Sequence, residues 1–425
     1  MNRKTGIIVI IVFLLVAIAI LGWMFYSPGG FPFGSGKVSD SGSKDLFPFG
    51  DEKDTGGAKK DSENPDATPP VSDTTPLPVL REISLVPVSG AHAYFDEEHE
   101  VTYVRFLERS TGHIFETTAA INNTTRITNT TIPKVQNVAW NKNGSAAILQ
   151  YQSDSYEGGI SNAIVSFYGE VASASTTSSV APQGETTLEG VFLAGNITAL
   201  ASSPDSEQIF MLEKDTSGVV GYIANIDGSS KKQVFESALT EWQVTWPEEK
   251  TITLTSNASA KTRGYSYALD AKTGKTTPLI TNKNGLTTLM NHDGSKILYS
   301  EEKKDVGTTL GVYTPKDNTY VDISLKTLPE KCAWGNANVN IIYCGVPKST
   351  FIGTQPDDWY QGILPFNDTI WSIDATTGAV EMVVDLESIA GKGIDVIQPF
   401  LDTNDTFLFF MNKNDLHLWS LKIGI

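Results

Sequence analysis

NVAWNKNGSAAILQY (137–151), TALASSPDSEQIFML (198–212) and TTLMNHDGSKILYS (287–300) can be laid over one another. Each reads as a strand, then a polar turn of Asn, Asp, Ser or Gly, then a strongly apolar strand. WQVTWPEEKTITLT (242–255), KCAWGNANVNIIYC (331–344) and DVIQPFLDTNDTFLFF (395–410) follow the same plan. A second motif trails these pairs: an apolar strand, a turn and another strand, as in GYIANIDGSSKKQVF (221–235), GYSYALDAKTGKTTPLI (264–280) and DTIWSIDATTGAVEMVV (368–384). Gly in such turns supplies positive φ at little steric cost. Together the two motifs make one four-stranded antiparallel unit, and helical periodicity is essentially missing from residue 80 onward.

The units begin near residues 90, 135, 197, 242, 286, 330 and 394. Several intervals are about 45 residues, the range of propeller blades. The expected fold is therefore all-β, a seven-bladed β-propeller spanning 79–425. The seventh unit, ending DLHLWSLKI (415–423), has only three strands, while LREISLVPV (80–88) precedes the first unit without a partner. Ring closure satisfies both: the N-terminal strand completes the last blade and removes an open edge that favours aggregation.

These strand–turn–strand units resemble the WD40-like repeats of TolB-type propellers over most of 80–425. More narrowly, ERSTGHIFE (108–116), ITNTTIPKV (127–135) and PDDWYQG (356–362) resemble a group of membrane-anchored propellers of candidate-phylum bacteria. That resemblance implies an anchored propeller and supplies no catalytic residue.

Ahead of the repeats, MNRKTGIIVIIVFLLVAIAILGWMFY places Arg3 and Lys4 before an apolar run from Ile7 to Tyr26. A helix of ~20 residues at ~1.5 Å each spans the ~30 Å hydrocarbon core. Trp23 and Tyr26 fall where aromatic rings favour the interface, and the basic flank keeps the N-terminus cytoplasmic. Residues 1–26 thus read as a cytoplasmic tip and uncleaved signal-anchor. The competing reading is a signal peptide cleaved after Ala17-Ile18-Ala19; either way the body is exported. Residues 27–78 are rich in Gly, Pro, Ser, Asp and Lys and nearly free of aliphatic residues. They cannot bury a core and read as a disordered tether with a reach of about 40 Å. The chain has 425 residues and a formal net charge of −17. That acidity argues against nucleic acid and against docking on anionic lipid, both of which need a basic face.

Cys332 and Cys344 flank a tight strand–turn–strand centred near Asn338, so they face each other across neighbouring strands. An exported domain permits a disulfide there, and the alternative is two buried thiols. An insertion, GVPKSTFIGTQPDDWYQGILPFN (345–367), follows where other units have a short turn. As a contact loop, Asp357, Asp358, Trp359, Tyr360 and Gln361 would bind a partner. Trp and Tyr supply rigid amphipathic area, and the carboxylates accept hydrogen bonds from a sugar, an amine or a basic protein. As a structural element, Trp359 and Tyr360 would fold back over the disc or plug its channel. The two are not exclusive. A second interruption, GEVASASTTSSVAPQGETTLEG (169–190), reads as a surface loop without a site.

Tests for chemistry are negative. No G-x-S-x-G elbow, P-loop or dinucleotide glycine pattern occurs, and no Cys/His spacing resembles a metal site. The DAKTG and DATTG turns at 270–274 and 374–378 are a weak echo of quinoprotein propellers, and Asn291-His292-Asp293-Gly294 and Asn141-Lys142-Asn143-Gly144 of a calcium loop; ordinary tight turns account for all four. Adjacent Asp357 and Asp358 would diverge on an extended backbone, which weakens them as an acid/base pair. The sequence thus points to a non-enzymatic, envelope-anchored binding module for a protein or glycan, with no cofactor. A scaffold of an envelope complex and a polysaccharide hydrolase or lyase are the alternatives.

Overall fold

The structure, a computed structural model, describes residues 79–121, 123–153, 163–171, 186–349 and 353–424. The apolar run to Tyr26 and the tether 27–78 lie outside the described residues. Among the described residues no helix is long and apolar enough to cross a membrane.

Strands form seven four-stranded antiparallel sheets, the blades of a propeller. Their first strands are Val88–Asp96, Val135–Trp140, Ile197–Ser202, Trp242–Glu248, Thr287–Met290, Cys332–Trp334 and Val396–Leu401, within a few residues of the expected starts. Six blades use four consecutive strands. The seventh takes its outer strand from the N-terminal side, with Leu80 opposite Leu421, Arg81 opposite Ser420 and Glu82 opposite Trp419. The closing strand is shorter than 80–88 suggests: it spans Leu80–Glu82, and Val88 already opens blade one.

Second strands carry the apolar runs because both of their faces are covered by neighbouring blades. Ile209, Phe210, Met211 and Leu212 are consecutive and all buried, as are Leu408, Phe409, Phe410 and Met411. Among the described residues seven apolar clusters lie one between each adjacent pair of blades, and a smaller eighth seats the insertion after blade six's second strand. Phe409, Met411 and Leu418 of blade seven pack with Val88, Val104 and Phe106 of blade one, so the ring is sealed by side chains as well as by hydrogen bonds.

Four of the repeated polar turns, those of blades two, three, five and seven, cap themselves. The side chain of each turn's first residue accepts the backbone N–H five positions on: Asn141 from Ala146 (2.9 Å), Ser203 from Gln208 (3.0 Å), Asn291 from Lys296 (2.9 Å) and Asp402 from Phe407 (2.9 Å). The fourth residue takes positive φ: Gly144, Ser206, Gly294 and Asp405 at 69°, 62°, 72° and 55°. The calcium-like fragments are these turns. Asp270 of DAKTG accepts the Thr273 hydroxyl and the N–H groups of Lys272 and Thr273, and Asp374 of DATTG accepts the N–H groups of Thr376 and Thr377, which holds both carboxyls below the usual range.

The ends of the second interruption are strand rather than loop: Ala163–Val171 and Leu188–Phe192 are the third and fourth strands of blade two, and residues 172–185 lie outside the described residues. Cys332 and Cys344 are directly opposed on the first two strands of blade six and joined as a disulfide, with Cα atoms 4.0 Å apart.

Candidate functional site

The insertion joins the second strand of blade six, Ile341–Pro347, to the third, Asp368–Asp374. Its PDDWYQG segment is not extended; Asp357–Tyr360 is one turn of helix. The two carboxylates therefore part by helical rotation rather than by strand pleating, and each is engaged by a backbone amide. Asp357 Oδ2 accepts the N–H of Ala260, on blade four, at 2.7 Å. Asp358 Oδ2 accepts the N–H of Thr354 at 2.7 Å. Trp359 is buried at 4% exposure, packed with Leu328 and Phe366. Its indole N–H donates to both oxygens of Asp395, at 3.1 and 3.0 Å, and its carbonyl accepts from Lys413. Tyr360 is 39% exposed, with its hydroxyl turned inward to donate to Glu330. Gln361 is exposed. Of the five residues, Tyr360 and Gln361 are exposed and Asp357 and Asp358 half-buried; Asp357 ties the insertion to blade four and Trp359 ties it to blades six and seven, while Asp358 closes a turn within the insertion.

Beneath the indole lies a charged cluster with no side-chain exposure. Lys331 Nζ contacts Asp395 Oδ1 at 2.5 Å, Asp368 Oδ2 at 2.8 Å and the carbonyl of Val396 at 2.9 Å. It also lies 4.9 and 5.3 Å from the ring centres of Trp359 and Phe366. Two carboxylates share one ammonium, and burial, only partly offset by Lys331, pushes the Asp368 carboxyl up to about 6. The folded state therefore holds this proton more tightly than the unfolded chain, whose carboxyl titrates near 4. Asp368 favours folding most below pH ~4, and its contribution falls as pH rises toward ~6. The expected result is that wild type loses stability relative to Asp368→Asn across pH 4 to 6, read as the difference between their urea midpoints. A constant difference would show that Asp368 does not titrate there.

Glu330 sits at the start of blade six beside Gln243 and Thr287, on the first strands of blades four and five. Burial raises its carboxyl pKa. Because Glu330, Lys331 and Asp395 all precede first strands, the insertion crosses the end of the blades where those strands begin.

At the other end, where the first strands finish, a cavity of about 1040 Å³ opens. Its floor is apolar, with Ala91, Val138, Leu289, Met290, Trp334 and Phe400; its rim is polar, with Lys142, Asn143, Ser206, His292 and Thr403. The rim turns are tied across blades. Lys142 N–H donates to Ser206 Oγ (2.8 Å), and three successive amides, Asn336 to Asn338, donate to Asp405 at 2.8, 3.1 and 3.1 Å. His92 Nε2 lies 2.8 Å from the Lys142 carbonyl oxygen. Desolvation in the concave wall holds both His92 and His292 below their ordinary pKa, so both are neutral at pH 7.

Gln398 is the exception in this wall. It has a φ of 48° and lies within an irregularity of blade seven's first strand, between Ile397 and Phe400. Pro399 follows and has no N–H to give the ladder. The bulge exposes the Gln398 side chain in the cavity. The sequence carried this signal as a proline inside a strand pattern, which marks an edge or a bulge, and in a first strand only the bulge remains.

Among the described residues, one set of three possible metal ligands gathers: Glu82, Asp415 and His417. Lys392 Nζ lies 2.9 and 3.2 Å from the two carboxylates. The ammonium offsets one of the two negative charges and ties the closing strand to the last blade.

No protein-family model matches the chain, and no curated protein matches it in sequence. Solved structures match in shape. A chain of the mitotic checkpoint complex aligns with TM-score 0.51 and 12% identity over 87% of this chain and 99% of that one. TolB from Acinetobacter baumannii aligns with TM-score 0.40 and 10% identity; 73% of this chain is covered, and the match spans 59% of the TolB chain. An oligogalacturonate lyase in complex with manganese aligns with TM-score 0.47 and 9% identity over 80% and 97% of the two chains. TolB-type propellers are thus among its neighbours in shape, alongside peptidase and lyase propellers. What blades, ring closure and shape together establish is a seven-bladed β-propeller.

Proposed function

We propose that the chain is a non-enzymatic binding module whose ligand, a protein or glycan of the cell envelope, enters the propeller cavity at the turn end. The observation that carries this reading is the difference between the two ends. The insertion covers one and commits its polar groups to the fold, whereas the other opens a cavity with an apolar floor, a polar rim and a strained Gln398. A hydrolase or lyase would need carboxylates free to face the cavity. The cavity lining holds two carboxylates, Glu97 and Asp205, and Asp205 accepts hydrogen bonds from Ser203 Oγ and the Glu207 N–H, so no pair of free carboxylates faces the cavity. The apolar run at 7–26 supports a single-pass anchor with the propeller outside the cell.

The scaffold reading draws support from the insertion end. Leu85, Val86, Leu239, Val306 and Ile363 on loops, and Ile389 on the short helix Leu386–Ala390, are exposed large apolar side chains there. Capture from envelope extract by the full chain separates the two. Gln398→Ala and Phe400→Ala are each expected to reduce the captured partner about tenfold, the loss of one good contact of ~1.4 kcal/mol. Retention by both, with loss on Ile363→Asp, would move the site to the insertion end.

A further inference from the structure

The charge around the cavity names a ligand chemistry, on the reading that the cavity is the binding site. The turns that ring its mouth are acidic. The first carries Asp96, Glu97, Glu98 and Glu100, and further carboxylates stand on the turns of blades three, four, five and seven. Against them stand three lysines on the same turns, Lys142, Lys250 and Lys296, and the last donates to Asn340. His92 and His292 add no charge at neutral pH, whereas the hydrogen bond to Asp96 raises the pKa of His99 on the first turn, so its imidazole offsets part of that turn's negative charge. Hydrogen bonds from His99 and from Ser203 hold Asp96 and Asp205 below the usual carboxylate range, and at Asp293 the upward push of burial is outweighed by hydrogen bonds from Ser295, which lower it in the same direction. A concave mouth with apolar walls concentrates such a field, because water inside it screens less than bulk solvent. Inside, the rings of Phe95 and Phe400 line the wall, surfaces that attract cations through their π faces.

We propose that the cavity takes an amine-bearing ligand, with alkylammonium groups held by the acidic mouth and their methylene stems against the apolar floor. A free polyamine and the lysine side chains of a partner's extended segment present this same chemistry.

The test is calorimetric titration of the full chain in ~50 mM salt with two probes, spermidine and a Lys-Gly octapeptide, beside a Glu-Gly octapeptide and maltotetraose. One or both amine probes are expected to bind and to weaken at least tenfold in two cases: in the triple variant Glu97→Gln, Glu98→Gln, Glu100→Gln, and on raising salt to ~200 mM. These residues sit at the exposed turn, and equal melting temperatures will confirm equal folding. Phe400→Ala must weaken binding as well. Spermidine alone binding identifies a free polyamine; the peptide alone identifies a protein segment. No amine binding at millimolar concentration overturns the proposal. So does binding that ignores Phe400→Ala, which would place the amine on the outer surface. Binding of maltotetraose or the acidic peptide in place of the amines would overturn the ligand class while leaving the cavity as the site.

Discussion

Lys331→Met is expected to cost about 3–5 kcal/mol of folding free energy, the penalty for leaving a buried charge without its partner. Lys331, Asp368 and Asp395 have no exposure, and the ammonium is the only cation that touches both carboxylates among the described residues. Methionine matches the stem in volume, so the loss isolates charge from packing. Asp395 would keep the Trp359 indole and the Phe366 amide at 3.0 Å. Asp368 would keep only the Val396 amide at 2.7 Å, since its other oxygen has no hydrogen-bond partner. Adding Asp368→Asn to Lys331→Met should therefore return part of the loss, with a coupling of about 0.5–3 kcal/mol. Urea unfolding of the two single variants and the double variant measures both quantities. A Lys331→Met protein within 1 kcal/mol of wild type would mean that the cluster does not hold its charges as the geometry implies.

The contrast between what was legible and what was not follows contact distance along the chain. A strand–turn–strand unit is local, so its polar turn and its doubly covered second strand show directly as Asn-Lys-Asn-Gly-Ser before AAILQY or Asn-His-Asp-Gly-Ser before KILYS. Ring closure was legible by counting, because three strands at one end and a spare at the other admit one economical answer. The disulfide was legible because Cys332 and Cys344 belong to one hairpin. Lys331, Asp368 and Asp395 were not. Each stands alone in sequence as an ordinary polar residue, and only the packing of blade seven on blade six brings them together. The insertion was legible as an insertion but not in its conformation, since a single helical turn of four residues leaves no periodic trace. The cavity was least legible, because its lining comes one or two residues at a time from separate blades. Gln398-Pro399 was the one local hint.

Trp359→Ala is expected to cost about 3–5 kcal/mol, the range for emptying a buried large aromatic site. Three losses combine: the ring's packing on Phe366 and Leu328, the N–H given to Asp395, and the π face over which Lys331 and Lys413 lie at 4.9 and 4.1 Å. Trp359→Phe keeps most of the ring and removes only the donor, and should cost about 1–3 kcal/mol. Tyr360→Ala should cost less than Trp359→Ala, because the ring is 39% exposed and removing it frees Glu330 to meet water. The ordering Trp359→Ala, then Trp359→Phe, with Tyr360→Ala well short of the first, is the signature of a plug seated on a charged cluster. The opposite ordering on partner capture, with Trp359→Ala fully folded and unable to hold a partner, would restore PDDWYQG as a recognition loop. Chemical denaturation followed by Trp and Tyr fluorescence gives the stability series, and capture by variants of equal melting temperature gives the binding series. The two together separate a residue that holds the disc closed from one that touches a ligand.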